Sequence, residues 1–427
     1  MCGNRMNPQP PQDDDRIRWP RALSWAFYDF ANTIYSAIVV SLAIALHVKE
    51  FTGVEKYTFL VTAVSMGLSG AVVPLAGEIA DRTGRSKRWL LVLTVACCAS
   101  CAAISAAPWA WLILAFYFVA NFCYNTCFGF YDSLLPIVAP PRRTGLVSGI
   151  GVGLGYAGVA FAVPIAMLVS GAYAKTHAAH PLTPVFALAG LLFLLTSLPT
   201  FLLVPERTAR PPVPTLRQSL GTAWHRTLAT LRALPHHRDV FLFLIGNFLC
   251  VDALNATILG YAPYVHNVLG MKIEAVMFWM IPFALCALGW GVLGGRLTDR
   301  FGSRPVLIAA GVSFMLATLI CGVASSRWAF FAAFLVLGGF GLATVWVAGR
   351  KMLLSLVPPG QVGKYFGLYN VGHKLSMIGT VLFGVLADVP IRGSIVNGYR
   401  AALLVQLFSM ALGLCLIWKV KLRDATG

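Results

Sequence analysis

The sequence predicts an all-α polytopic membrane protein: twelve transmembrane helices in two pseudo-symmetric six-helix bundles. Three observations predict it. Hydrophobic residues make up 58% of the 427 and charged residues 11%, against roughly 25% charged in a soluble domain. No Asp, Glu, Lys or Arg occurs from Trp89 to Tyr131, Thr144 to Ala174, Pro305 to Ser326 or Trp328 to Gly349, and each run holds a span of about 20 residues. Finally, three landmarks recur in order in the two halves of the chain. Barrel strands would alternate polar and apolar residues, and these runs do not.

The expected spans are residues 22–48, 58–80, 89–106, 109–134, 144–173, 184–204, 240–266, 273–297, 305–324, 328–354, 363–388 and 395–418. Residues 1–21 are polar, with "DDD" and four arginines, and lack the apolar core of a cleavable signal peptide. They are expected to form a cytoplasmic tail. Residues 22–204 form the first bundle, 205–239 a cytoplasmic linker, 240–420 the second bundle and 421–427 a second tail. The linker opens on the breakers "VPERTARPPVP". It continues with Leu216, Leu220, Ala223, Trp224, Leu228 and Leu231 at three- and four-residue steps, with Arg217, Arg226 and Arg232 between them. That pattern suits an amphipathic helix lying on headgroups or on protein loops.

Charge orients the chain. Of the 33 Lys and Arg, only Lys49, Lys56, Lys175, Lys272, Arg327, Arg392 and Arg400 fall on one side, and Lys374 falls within a span. The rest share the side of both termini, which the positive-inside rule makes cytoplasmic. The net charge of +17 then faces anionic headgroups of the cell (inner) membrane, and nucleic acid is not needed to explain it. Cys97, Cys98, Cys101, Cys123, Cys127, Cys250, Cys286, Cys321 and Cys415 fall within spans, with no His at ligand spacing. They read as small packing residues, so neither metal nor cofactor is expected. Cys2 lies in the tail.

The landmarks are specific. "YDFANT" carries Asp29 and Asn32, and "VDALNAT" carries Asp252 and Asn255 with the same spacing, at an offset of 223. "GEIADRTGRSKR" recurs as "GGRLTDRFGSRP", aligning Asp299 with Asp81 at an offset of 218. "LLPIVAPP" at Leu134 recurs as "LLSLVPPG" at Leu353, an offset of 219. Repeated halves joined by a basic linker are the plan of transporters that rock two bundles about a midplane site.

"GEIADRTGRSKR" resembles the signature between helices 2 and 3 of the major facilitator superfamily, matched by Gly77, Asp81, Arg82, Gly84, Arg85 and Lys87, with Ser86 as a departure. The second copy keeps Gly295, Asp299, Arg300, Gly302 and Arg304. "WAFYDFANT", "LVSGIGVGLGY" and "VPPGQVGKYFGLYNVGHKLS" are similar to the fungal vacuolar amino-acid effluxers and their bacterial relatives. The resemblance covers the membrane portion and implies the major facilitator fold. It also implies that the signature forms a cytoplasmic gate and that helices 1, 4, 7 and 10 line a central cavity. Gly77, one turn before Asp81, lets a helix approach closely. Asp81 can then meet Arg142, Arg143 or the start of helix 11.

Charge inside a span is costly without a function, so Asp29, Asp252 and Lys374 are the leading substrate or ion candidates. Asn32, Asn255 and, from helix 4, Asn121, Tyr124 and Asn125 join them; Asp132 shares that face. Helix 10 adds Trp346, alongside Thr344 and Arg350, and helix 11 carries His373 beside Lys374. Family geometry suggests an Asp252–Lys374 pair, which leaves Asp29 as the proton carrier. Polar residues between helices also serve as structural glue. Gly149, Gly151, Gly153, Gly155 and Gly158 permit close sliding packing, not phosphate binding, and there is no Walker motif. The chain therefore reads as a non-enzymatic secondary transporter, working as a monomer by alternating access with a proton or sodium ion as coupling partner. Its expected cargo is a small polar solute, an amino acid or related metabolite, moved outward. Drug or xenobiotic efflux is the alternative, and a membrane-embedded enzyme or channel fits less well.

Overall fold

The computed structural model describes residues 16–54, 56–177, 179–206, 229–230, 232–271, 273–323, 326–358, 360–375, 377–387, 389, 391 and 394–422. Its long helices are α1 (Trp19–Thr52), α2 (Lys56–Thr83), α3 (Ser86–Ala106), α4 (Ala110–Ser133), α5 (Thr144–Ala174) and α6 (Thr183–Leu203). The second set is α7 (Arg238–Asn267), α8 (Ile273–Phe301), α9 (Ser303–Val323), α10 (Trp328–Leu356), α11 (Val362–Leu375 and Met377–Ala387) and α12 (Ile395–Trp418). Among the described residues, eleven of these are long and apolar enough to cross a membrane. The other, α8, is 29 residues long. Apart from Ala229 and Thr230, the expected amphipathic helix at Leu216–Leu231, the acidic run of the tail and Cys2 lie outside the described residues.

The helices overrun the apolar stretches at the signature. α2 reaches Thr83 and α8 reaches Phe301, so Asp81 and Asp299 stand on last turns rather than in loops. Gly84 and Gly302 end these turns at φ +67° and +90°, the left-handed conformation that glycine adopts without a Cβ penalty. Their N–H groups donate to Ala80 O (2.9 Å) and Thr298 O (3.2 Å). The same residue type at the same offset thus makes the same turn twice.

The lipid-facing surface is apolar: Leu202 is 77% exposed, Leu168 73% and Phe408 72%. Trp19, Trp109, Trp111, Trp328 and Trp418 are exposed at helix ends, where amphipathic rings favour the headgroup region. Inside, one apolar core runs from Ala22 to Val204, and two more lie between Val240 and Val420. Among the described residues, a small cluster of Val152, Ala343 and Val347 joins α5 to α10 across the halves, and Tyr156 and Leu354 each pack against the core of the opposite half. Each half holds itself together, and the seam is lightly packed with apolar side chains.

Glycine makes the seam. α5 packs on α8 and α2 on α11. A Cβ added at Gly145 would strike Gly295 O at 2.7 Å, one at Gly153 Leu288 O at 2.9 Å, and one at Gly77 would overlap Gly363 O. Backbones therefore touch near the face bearing the α2–α3 and α8–α9 turns, called here the motif face. Further from it α2 and α11 part: α2 meets Lys374 at Gly70, where the built Cβ is 3.6 Å from Lys374 Cβ, and a Cβ at Gly67 meets nothing within 4 Å.

Candidate functional site

Two carboxylates lock the motif face. Asp81 Oδ1 and Oδ2 accept the N–H groups of Gly363 and Lys364, both at 2.9 Å, at the first turn of α11. Asp299 accepts the N–H groups of Gly145 and Leu146, both at 2.8 Å, at the first turn of α5, and Lys351 Nζ also donates to it. Gly363 and Lys364 stand at the same offset from Gly145 and Leu146 as Asp299 does from Asp81. The repeat thus builds one lock twice: a carboxylate on the last turn of one helix caps a helix N-terminus in the other half, where partial positive charge and unpaired N–H groups favour an anion. Of the partners expected for Asp81, the start of helix 11 is the one observed in these bonds; Arg142 and Arg143 are exposed. Arg85 and Arg300 are exposed too, and the Arg82 side chain is outside the described set.

Within about three turns of the motif-side helix ends lies a charged cluster that spans the seam. Arg350 on α10 is 6% exposed. Its Nη1 donates to Asp29 Oδ2 at 3.3 Å, and its Nε lies 3.0 Å from Asp132 Oδ1. Asn370 on α11 donates to Asp132 Oδ2 at 3.0 Å. Trp25 and Tyr131 stack with centroids 4.4 Å apart, and the guanidinium sits 5.9 and 5.6 Å from their rings, within cation–π range. Gly151 closes the pocket from α5: a Cβ there would lie 2.9 Å from Asp29 Oδ2 and 3.2 Å from Tyr131 Oη. One cation from the second half thus bridges two carboxylates of the first.

A second network runs beside it. Lys374 Nζ donates to Asn125 Oδ1 at 2.6 Å. Asn125 donates to Asn121 O and Oδ1 at 2.7 and 3.1 Å, and Asn121 to Ser65 Oγ at 2.7 Å. The lysine ammonium sits 4.7 Å above the Phe128 ring. Phe128, Tyr124 and Tyr35 form a run of rings on one side, with centroids 5.3 and 4.5 Å apart. Trp346, His373 and Tyr369 form an edge-to-face series on the other, at 4.7 and 4.4 Å.

Two expectations are corrected. Lys374 does not pair with Asp252: it reaches across the seam to Asn125, and Asp252 Oδ1 instead accepts the Gly379 N–H at 2.8 Å. Gln406 Nε2 binds Gly379 O at 3.2 Å, so Asp252 is bound into a backbone contact between α7 and α11. Nor is Asp29 a lone carboxylate, since Arg350 bridges it to Asp132. Asp29 and Asp252, matched in sequence, therefore have unlike surroundings. The offset separating them is larger than that of the locks, so they are not in structural register. Asn32 is 3% exposed, and its Oδ1 has no hydrogen-bond partner among the described residues. Asn255 is half-buried on α7, one turn beyond Asp252. Asn121 is buried against α2 and belongs to the packing.

Arg350, Asp132 and Asn370 stand at the centre of the site although the sequence reading gave them no leading role. A signal was present: Arg350 follows Asp132 at the same offset as Asp299 follows Asp81, so opposite charges occupy equivalent positions of the two halves and meet near the pseudo-twofold axis. Among the described residues, no group of three or more His, Cys, Asp or Glu could hold a metal ion.

The Atg22-like vacuole effluxer family profile matches residues 47–145 and 140–426. The chain belongs to that family. It is 27% identical over 389 residues to the uncharacterized MFS-type transporter YxiO of Bacillus subtilis, covering 86% of this chain and 88% of that one. It is 28% identical over 274 residues to autophagy-related protein 22-2 of Aspergillus clavatus, covering 57% and 43%. The E. coli fucose:proton symporter FucP shares the fold, with a TM-score of 0.71 at 15% identity over 95% of this chain and 98% of that chain. This Atg22-like protein is thus a major facilitator transporter, not an enzyme, and an integral multi-pass membrane protein.

Proposed function

We propose that this Atg22-like transporter exports small polar solutes, amino acids or related metabolites, in exchange for protons, as a monomer in the cell (inner) membrane with both termini cytoplasmic. The observation that carries the reading is the pair of equivalent locks at the motif face above a charged cluster that bridges the halves. The motif face bears most of the Lys and Arg and is therefore assigned to the cytoplasm. In the state described, the carrier is closed there, and α2 and α11 part further from it. Rocking must free four backbone N–H groups and two carboxylates, which cytoplasmic water then solvates, while the glycine seam lets backbones separate without unpacking two apolar cores.

The Asp29–Arg350–Asp132 cluster supplies a route for coupling. With both carboxylates charged, the guanidinium ties α10 to α1 and α4. A proton taken up by Asp29 removes one of these ties and leaves Arg350 on Asp132 alone, so protonation state and the strength of the tether between the halves change together. Asn32 and Asn255 are proposed to assist cargo or ion binding near the two acidic motifs. In proteoliposomes, Asp29→Asn should abolish pH-gradient-driven transport while preserving counterflow. Full gradient-driven transport by this variant refutes the proton role, and strict sodium dependence reassigns the carboxylate as an ion ligand. Drug efflux is the second reading, favoured by the ring series Tyr35–Tyr124–Phe128 and Trp346–His373 flanking the seam.

A further inference from the structure

Resting on the transport reading above, we infer that Lys374 recognises a carboxylate on the cargo. The chemistry around this lysine sets it apart from the other buried cation. Arg350 is matched by two carboxylates. The Lys374 ammonium, among the described residues, contacts one neutral amide oxygen, Asn125 Oδ1, and the face of one ring, Phe128. An ammonium whose hydrogen-bond acceptor is neutral keeps an attraction for an anion that a direct carboxylate partner would otherwise satisfy.

Its place in the fold gives that charge access. Lys374 is only half-buried, as are Tyr124, Phe128, Trp346 and His373 around it. It stands at Gly70, the level beyond which α2 and α11 separate, so the ammonium lies where these two helices part, with rings from α4 on one side and from α10 and α11 on the other. A carboxylate entering from the open side can take the ammonium from Asn125 in a charge-assisted hydrogen bond, while its carbon skeleton lies between Phe128–Tyr124 and Trp346–His373. Asn125 then keeps its own bonds to Asn121, so the amide remains oriented. The site suits a carboxylate attached to an apolar or aromatic group, and it disfavours a cation or an uncharged drug. Because Lys374 belongs to the second half and Tyr124 and Phe128 to the first, the bound cargo touches both sides of the seam, its carboxylate on one and its carbon skeleton on the other.

The test uses full-length protein in proteoliposomes loaded with a metabolite extract of the expression host, with released solutes read by mass spectrometry. Wild-type protein should release mainly carboxylate-bearing solutes. K374Q should release them about tenfold more slowly or worse, the scale of one charge-assisted hydrogen bond, and K374R should retain a substantial part. N125D places a carboxylate beside the ammonium at almost unchanged volume and should block these solutes although the lysine is present. Size-exclusion profiles matching wild type establish that the variants fold. Release of neutral or cationic solutes only, or wild-type release by K374Q or N125D, overturns the inference and leaves the transport reading standing. No release by wild-type protein refutes both.

Discussion

Asp81→Asn tests the lock directly. The carboxylate accepts two N–H bonds of 2.9 Å from the first turn of α11. Asparagine keeps one acceptor oxygen and turns an NH2 group toward the other N–H, so one bond becomes a donor–donor contact and the charge facing the helix N-terminus is lost. A hydrogen bond to a charged group contributes about 1.5–3 kcal/mol, and charge at a helix terminus about 0.3–1 kcal/mol. Asparagine retains part of this, leaving a loss of about 2 kcal/mol from the closed state, or roughly a 30-fold shift toward opening of the motif face at ~1.4 kcal/mol per factor of ten. Asp299 keeps its bonds to Gly145 and Leu146, so one lock remains and the fold should persist. The assay is thiol labelling of Leu146→Cys, 8% exposed beside the second lock, in a background whose native cysteines are replaced by serine or alanine. If the open state is the minor one, the labelling rate follows its population and should rise about 10- to 30-fold. Asp299→Asn should act similarly, and the double variant should label faster than either. An unchanged rate together with normal transport refutes the gate and reduces the signature to a topology signal.

Arg350→Met leaves Asp29 and Asp132 buried without their shared cation, and unpaired buried charge costs about 3–5 kcal/mol. Thermal unfolding of the purified protein should show a large loss, partly restored by adding Asp132→Asn, and absence of any restoration argues against the bridge. Lys374→Ala should not be rescued by Asp252→Asn, because the two side chains have separate partners; rescue in the same unfolding assay contradicts the observed contacts. Gly151→Ala would put a Cβ 2.9 Å from Asp29 Oδ2 and 3.0 Å from Trp25, so stability should fall by about 1–3 kcal/mol and counterflow should slow. Gly171→Ala, where the Cβ meets nothing within 4 Å, should be neutral, and equal effects of the two would show that packing at Asp29 is not the cause. Reporters fused after Pro11, within residues 205–239 and after Lys421 should all read as cytoplasmic and one near Gly53 should not; an external signal from the linker overturns the topology.

Much of this protein is decided by composition and repetition. Apolar runs of span length leave the backbone no partner but itself, so they must be helices. The recurring signature fixed Asp81 and Asp299 as equivalent, and Gly77 as a point of backbone approach, because glycine and carboxylate placed one turn apart on a helix end have few other uses in lipid. The Lys and Arg distribution proposes an orientation by the same one-dimensional logic. Pairing among buried charges was not legible in this way. Asp29, Asp132, Arg350 and Lys374 are far apart in the chain, and each has several plausible partners at matching depth. Which carboxylate meets which cation depends on helix rotation and on small offsets between repeats: Asp132 and Arg350 share the register of the locks and meet, whereas Asp29 and Asp252 fall outside that register and do not occupy equivalent surroundings. Only the packed helices, whose glycine contacts set rotation and depth, could assign Arg350 to two acids, leave Lys374 on an amide, and give Asp252 a backbone N–H.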